Sequence, residues 1–540
     1  MMLKSLKNIM LAWLRPQPII TAAETQAGLK MLIGDAVCFQ IMTVLTSGAF
    51  LVAFALQLGA SNVVIGALAA LGPLAQVLQI PAIFLIEYTG LRKAAVVLSS
   101  FGSRLFWLAA ALAPWLLPQP WQIPVFLGAV FLFFAVGAIS NLAFSSWMRD
   151  FIAETIRGDY FGKRSAIATA VGAVVALLAG VSVDALKAQV SETAIYSGYF
   201  LFAALIGLAG VYFLARIPEP RMVKARPQGI WAILAGPFQD RNFRQLLLFL
   251  GAWNFASNLA TPFFTVYMIQ RLHLSITVIL GLAVLSQLIN VLFFQLWGRL
   301  ADRYSNKSAL MQAVPLFLLS IFLFPFTNLS QPSLLAMPLL ILIHVLAGIS
   351  TAGILLCTGN IALKLAPEGK ATTYLATNAL VSGIAATLAP IFAGFAADWF
   401  ARKELILTLK WTSERVKQAV EFQAMNLRGL DFLFLIAFGL GLYSLHRLAL
   451  VNEMGEAAKE LVLSEFDKLV RKAVRHVSDL AGMRYLFSFP YARLRDLLMD
   501  DEMNTFEGNL PASPGLFDPD RIKKEMGLDG KRGKDFYPGA

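Results

Sequence analysis

The chain has 540 residues, of which 58% are hydrophobic and only 14% charged, and its mean hydropathy is +0.66. Those proportions describe a protein whose solvent is largely lipid, and they exclude a soluble enzyme of this length. The formal net charge of +12 is distributed among loops between apolar stretches, so it reports membrane topology and argues against a nucleic-acid partner.

Residues 1–30 carry Lys4, Lys7 and Arg15 around a short apolar patch. Arg15 and Pro16 interrupt that patch too early for a secretory signal peptide, so the segment reads as a cytoplasmic amphipathic N-terminus lying on the inner membrane face. Twelve apolar stretches follow, at approximately 32–58, 62–86, 94–116, 121–148, 165–186, 195–216, 246–270, 274–297, 309–329, 334–363, 372–400 and 430–450. Each is long enough to cross a hydrocarbon core of about 30 Å as a helix. Their apolar residues run continuously instead of alternating, which excludes a transmembrane β-barrel. The expected fold class is an all-α integral membrane protein with twelve transmembrane helices.

Alternate connections are basic. Arg92 and Lys93, Arg149 to Arg164, the linker from Arg216 to Arg244, Arg299 to Lys307, and Lys364 with Lys370 all fall on one side, which places both termini in the cytoplasm. One connection departs: residues 402–429, on the outer side, hold six Lys or Arg. Leu405, Leu409, Val416, Val420 and Phe422 among those charges suggest an amphipathic helix resting on the outer surface. Cys38 and Cys357 both fall inside spans, so neither a disulfide framework nor a cysteine metal site is indicated; no metal and no cofactor is expected.

The chain repeats itself. Glu87 to Lys93, after the second span, matches Asp302 to Lys307, after the eighth, at a sequence offset of 215; Ala153 to Gly162 matches Ala366 to Leu375 at an offset of 213. Two loops at nearly one offset indicate a duplicated six-helix unit, 31–216 and 246–450, joined by a cytoplasmic linker at 217–245, the usual build of a secondary transporter.

GRLADRYSNK, residues 298–307, resembles the signature G-x-x-x-D-R-x-G-R-R/K of the major facilitator superfamily. Gly298, Asp302, Arg303 and Lys307 fit it, while Ser305 and Asn306 depart. In the first copy Gly90 and Arg92 match and Glu87 stands for the Asp. The resemblance covers roughly residues 30–450. It implies that these loops latch the two halves on the cytoplasmic side, with Glu87, Gly90, Arg92, Gly298, Asp302, Arg303 and Lys307 as the gate. The plainer reading of Arg303 and Lys307 is that they fix topology. Pro218-Glu219-Pro220-Arg221 is similar to the sequence after span six in sugar porters, but without their other signatures it assigns nothing. Span five lacks the Gly-Pro motif of drug antiporters.

Transport needs a polar path near the membrane centre. Arg104 lies eleven residues beyond Lys93, about 16 Å deep at 1.5 Å per residue. It reads either as solute counter-charge or coupling element, or as a structural Arg paired with carbonyls or a carboxylate. Asp35, expected near a wet cytoplasmic mouth of span one, is the candidate for proton coupling; structural pairing is the competing reading. Asp184, near the outer edge of span five, is expected to be simply hydrated. The resemblance further implies that spans one, four, seven and ten line a central cavity. Their polar residues fall in helical stripes: Gln40, Thr43 and Ser47; Asn141 and Ser145; Asn254, Asn258 and Thr261; His344, Thr351 and Thr358. Gln287 and Asn290 on span eight are weaker candidates. Such side chains equally bind helices together without a ligand.

Beyond Val451 the last ninety residues hold 16 of the 33 acids, so they form a cytoplasmic tail, with an amphipathic stretch at 453–480 able to meet lipid or protein. No Walker loop, H-E-x-x-H or G-x-S-x-G is present, which argues against ATP-driven transport or common hydrolase chemistry within this chain. The sequence points to a monomeric secondary transporter in a bacterial inner membrane, moving a small solute by alternating access with a proton or another coupling ion. The alternative is a transporter-like scaffold or sensor that binds partners.

Overall fold

A computed structural model describes residues 16–453 other than 19, 77–78, 80–81, 83–85, 87, 222–235, 329–334, 369 and 414–415, together with the backbone but not the side chains of 372 and 409–425. Glu87, residues 1–15 and the tail from 454 onward, including nearly all of its amphipathic stretch, lie outside the described residues.

The first half contains α1 (Ala22–Thr46), α2 (Gly48–Gln57), α3 (Asn62–Gln76), α4 (Arg92–Leu116), α5 (Gln119–Phe151), α6 (Glu154–Leu186) and α7 (Glu192–Ala215). The second contains α8 (Arg241–Gln270), α9 (Ile276–Arg303), α10 (Asn306–Leu323), α11 (Ala336–Lys364), α12 (Ala371–Phe400) and α13 (Leu430–Ala449). Among the described residues ten helical segments, counting α1 with α2 as one, are long and apolar enough to cross a membrane. The protein is therefore a multi-pass membrane protein. The other two expected spans fall on α3, a shorter apolar helix, and on α8, whose apolar run is interrupted by Asn254, Ser257, Asn258 and Thr261.

Local chemistry sets the helix starts. The Thr21 hydroxyl accepts from the Glu24 amide at 3.3 Å while the Glu24 carboxylate accepts from the Thr21 amide at 2.8 Å. This reciprocal capping box starts α1 ten residues before the apolar stretch at 32. Ser191, Asp240, Ser275 and Ser305 cap α7, α8, α9 and α10 through their side-chain oxygens. Between α1 and α2 the helix breaks at Gly48, whose φ of 53° suits glycine.

In the first half α1 packs on α6 and α7, α4 on α5 and α7, and α3 on α5. The second half repeats every pairing: α8 on α12 and α13, α10 on α11 and α13, α9 on α11. Between the halves, α3 packs on α12 and α6 on α9. The α3–α12 crossing is close because Gly66 carries no Cβ; one there would collide with the Pro390 carbonyl. One face of the bundle, here proximal, carries the ends at Ala22, Phe151, Arg303 and Ala449; the distal face carries Gln57, Leu186, Gln270 and Phe400.

The insertion between α12 and α13 is not helical. Residues 402–429 form an antiparallel hairpin, β1 (Glu404–Ser413) with β2 (Val416–Arg428), in which Glu404 stands opposite Arg428 and Lys410 opposite Glu421. The helical expectation fails because a spacing of four, as in Leu405 to Leu409 and Val416 to Val420, fits a period of two as well as 3.6. Leu407, Trp411 and the β-branched Thr408, Val416 and Val420 break the tie towards a strand. Leu405, Ile406 and Leu407 are exposed.

Candidate functional site

Three charged side chains from three helices converge inside the first half. Arg104 on α4 reaches Asp35 Oδ1 on α1 at 3.4 Å, and Arg164 on α6 lies 3.7 Å from Asp35 Oδ2. Arg104 also donates to the Gly207 carbonyl of α7. Asp35 is 4% and Arg104 3% exposed, so the wet mouth expected around Asp35 is absent. The cause is the early helix start: Asp35 lies thirteen residues into α1, about 20 Å along its axis, level with Arg104.

Glycine spacing on α7 makes room for the guanidinium. A Cβ on Gly207 would sit 2.6 Å from Met42 Sδ and 3.2 Å from Arg104 Cδ; one on Gly210 would sit 2.9 Å from the Arg104 guanidinium. Residues three apart share a helix face, so the two glycines form one groove. Burying a guanidinium is tolerable only with such partners. Arg164 is the member that sequence reasoning missed, because it sits in a run of loop cations. Its side chain is 18% exposed, donates to the Leu32 carbonyl at 3.3 Å, and lies 5.6 Å from the centre of the Phe144 ring.

The polar stripes divide by what they bond. Thr43, Ser145, Asn254, Asn258, Thr261 and Thr358 donate to carbonyls within their own helices, for example Asn254 to Leu250 and Asn258 to Asn254, both at 2.8 Å. Asn141 is exposed, and Gln40 packs where a Cβ on Gly172 of α6 would be. Asn290, by contrast, donates to Thr351 Oγ1 at 3.0 Å, and Ser286 to the His344 carbonyl at 2.5 Å. Thr351, His344 and Asn290 thus hold α9 to α11, the gluing role polar residues play between membrane helices.

On the proximal face both signature loops are built alike. Glu219, just after α7, accepts from the amides of Arg92 and Lys93 at 2.9 and 3.1 Å, capping α4. Arg92 in turn binds Glu219, Asp150 and the Pro220 carbonyl. In the second half Glu453, just after α13, accepts from the amides of Asn306 and Lys307 at 3.2 and 2.7 Å, capping α10, and pairs with Lys364 at 2.9 Å. Carboxylates at helix N-termini satisfy amides that lack intrahelical partners. The Pro218 to Arg221 segment therefore carries a structural residue, although its resemblance assigned nothing. Burial raises the Glu453 carboxyl, but the Lys307 amide, Lys364 and Asn306 outweigh that and hold it below the ordinary carboxylate range. Gly90 takes a φ of 64° at the turn into α4. Gly298 packs near Leu356, Asp302 is exposed, and the Arg303 guanidinium lies over the Tyr304 ring. The bonds of Arg92 and Lys307 named here stay within one half and the linker or tail residues that directly follow it.

A family model described as Major Facilitator Superfamily matches residues 36–390. The chain belongs to that superfamily. No curated protein matches it. Its fold is similar to that of solved transporters. A variant of the nucleoside transporter NupG gives a TM-score of 0.60 at 14% identity, covering 79% of this chain and 100% of that one. A bacterial homologue of the iron transporter ferroportin in an inward-facing state gives 0.55 at 13%, covering 80% and 99%. The inward-open xylose transporter XylE from E. coli gives 0.52 at 12%, covering 82% and 98%. At such identities the likeness establishes the superfamily fold and no substrate.

Proposed function

We infer that this superfamily member is a secondary active transporter that moves a small solute by alternating access across a membrane it crosses twelve times, its proximal face cytoplasmic. The observation that carries the reading is the arrangement of the halves. They repeat one another's helix pairings, and the inter-half backbone contacts at Gly66 and Gly394 fall towards the distal ends of α3 and α12. Two rigid halves joined in that way are free to rock about a site between them. The basic loops lie on the proximal face, which favours a cytoplasmic orientation and a bacterial inner membrane.

Asn141, Gln40, Thr43, Asn254, Asn258 and Thr358 are the solute-facing candidates; the donors of Thr43, Asn254, Asn258 and Thr358 are bonded within their own helices and leave oxygen lone pairs for a ligand. Asp35 is the proton carrier in this reading. Protonating it removes the charge that holds Arg104 and Arg164, loosening α1 from α4 and α6. Glu87, Gly90, Arg92, Gly298, Asp302, Arg303 and Lys307 form the cytoplasmic gate.

Uptake and efflux of a broad metabolite and drug panel in proteoliposomes, with an imposed pH gradient, tests this. Gradient-dependent flux that is lost in Arg104→Ala and uncoupled in Asp35→Asn is expected. Absence of flux across the panel from folded protein would replace transport by the scaffold reading, and flux indifferent to the gradient would remove the proton.

A further inference from the structure

Asp184 is not simply hydrated. Its Oδ2 accepts from the Thr277 amide at 2.9 Å and from the Thr277 hydroxyl at 2.5 Å, so a carboxylate of the first half caps the N-terminus of α9 in the second. The reverse bond exists too. Asp398 of α12, in the second half, accepts through Oδ1 from the Asn62 amide and side chain at 3.2 and 2.8 Å, and through Oδ2 from the Val63 amide at 3.3 Å. That caps α3 of the first half.

The two contacts are one device duplicated. Asp184 and Asp398 stand at a sequence offset of 214, as do the capped residues Val63 and Thr277, between the loop offsets of 213 and 215. Each aspartate follows a glycine by four residues, Gly180 and Gly394, one turn back on the same face. Both glycines lie against the backbone being capped. A Cβ on Gly180 would be 3.1 Å from Thr277 Cα, and one on Gly394 would be 2.7 Å from Val63 Cα. Glycine brings the helices close enough for the aspartate to reach the amides. Ser61 and Ser275, at the same offset, cap the next amides, of Val64 and Val278, at 3.4 Å.

We propose that the paired Gly-x-x-x-Asp segments are the latch that holds the distal side of the transporter shut, each half's carboxylate seated on the other half's helix N-terminus. The proposal rests on the alternating-access reading. A latch must both hold and release. Amide and side-chain donors across two seams hold it, and the aspartates are solvent-accessible, Asp184 at 21% of its side chain and Asp398 exposed. A cavity of about 120 Å³ adjoins Asp184 beside Gln57, Lys187 and Ser275. Water can therefore take over each carboxylate as the helix end departs, which a fully buried ion pair would not allow. Opening the distal side requires both aspartates to leave, so each weights the equilibrium towards the distally closed state.

The test uses the full chain in liposomes with Cys38 and Cys357 replaced by Ser. Spin labels at Gln189→Cys and Arg402→Cys report the distal side; labels at Asp159→Cys and Glu368→Cys report the proximal side. Asp184→Asn and Asp398→Asn keep shape and an acceptor but remove the charge, and each is expected to raise the distally open to closed ratio about threefold to tenfold. The double variant should multiply the two. Gly394→Ala, which forces the seam apart sterically, should shift the ratio the same way. Two distal distances whose weights stay within about twofold in all variants would overturn the latch while leaving alternating access intact. One unchanging short distal distance, with a fixed proximal distance, in the parent and every variant would overturn alternating access and the latch with it.

Discussion

Removing Arg104 puts the buried cluster to its severest test. Asp35 keeps two cationic partners at 3.4 and 3.7 Å in the native protein. At an effective dielectric of about 20, each such separation corresponds to about 5 kcal/mol of attraction before desolvation is counted. Arg104→Met removes the nearer partner and the donor to the Gly207 carbonyl, leaving a carboxylate that is 4% exposed with Arg164 alone. Breaking a buried pair from one side costs about 3 to 5 kcal/mol. Asp35→Asn strands the guanidinium instead and should cost a similar amount. The double variant removes both charges, so it should lie about 2 kcal/mol closer to the parent than the sum of the singles, within the range for coupled neighbours. Arg164→Met, whose side chain is 18% exposed, should cost only about 1 kcal/mol. Denaturant titration in detergent micelles, read by tryptophan fluorescence, gives all four values. Single costs that add to within about 0.5 kcal/mol, as those of independent sites do, would refute the pairing as an energetic unit.

Glu453 predicts an acid limb. Its folded-state pKa is depressed, so its stabilisation is present above the unfolded value and is lost as pH falls through the folded one; Glu453→Gln should cost about 1 to 3 kcal/mol at neutral pH and flatten the decline of unfolding midpoint with acid. Gly207→Ala should destabilise by about 1 to 3 kcal/mol through overpacking against Met42 and Arg104, whereas Gly198→Ala, with open space around its Cβ, should be neutral or slightly stabilising in the same titration. Replacing residues 404–426 by a short Gly-Ser linker, which keeps the buried Leu427 and the Arg428 amide that donates to Asp431, should leave flux and unfolding midpoint unchanged, because Phe400 and Phe432 already stack at 4.9 Å and bring the helix ends together. Asn258→Ala should change the KM for the solute while shifting stability by no more than about 0.5 kcal/mol, since its bond is to its own helix.

Much of the architecture is legible without coordinates. Continuous apolar stretches admit only helices in lipid, since every backbone polar group there must be satisfied within its own segment. The duplicated loops, at offsets of 213 and 215, already divide the chain into the halves whose helix pairings the structure repeats. Capping residues such as Thr21 with Glu24 are local and can be read directly, although hydropathy conceals the start at Ala22. The hairpin escapes a sequence reading for an equally local reason, a spacing shared by two periods.

The sequence by itself determined the membrane class and the duplicated plan, because hydrophobic length and repeated loops are properties of residues read along the chain. Tertiary structure alone decided the partners. That Arg104 meets Asp35 and Gly207, that Thr351 bonds Asn290, and that Asp184 and Asp398 each cap a helix of the opposite half depends on which helices adjoin and at what rotation. Those choices are made by packing between segments many residues apart, and a carboxylate looks the same in sequence whether water or a distant helix N-terminus receives it.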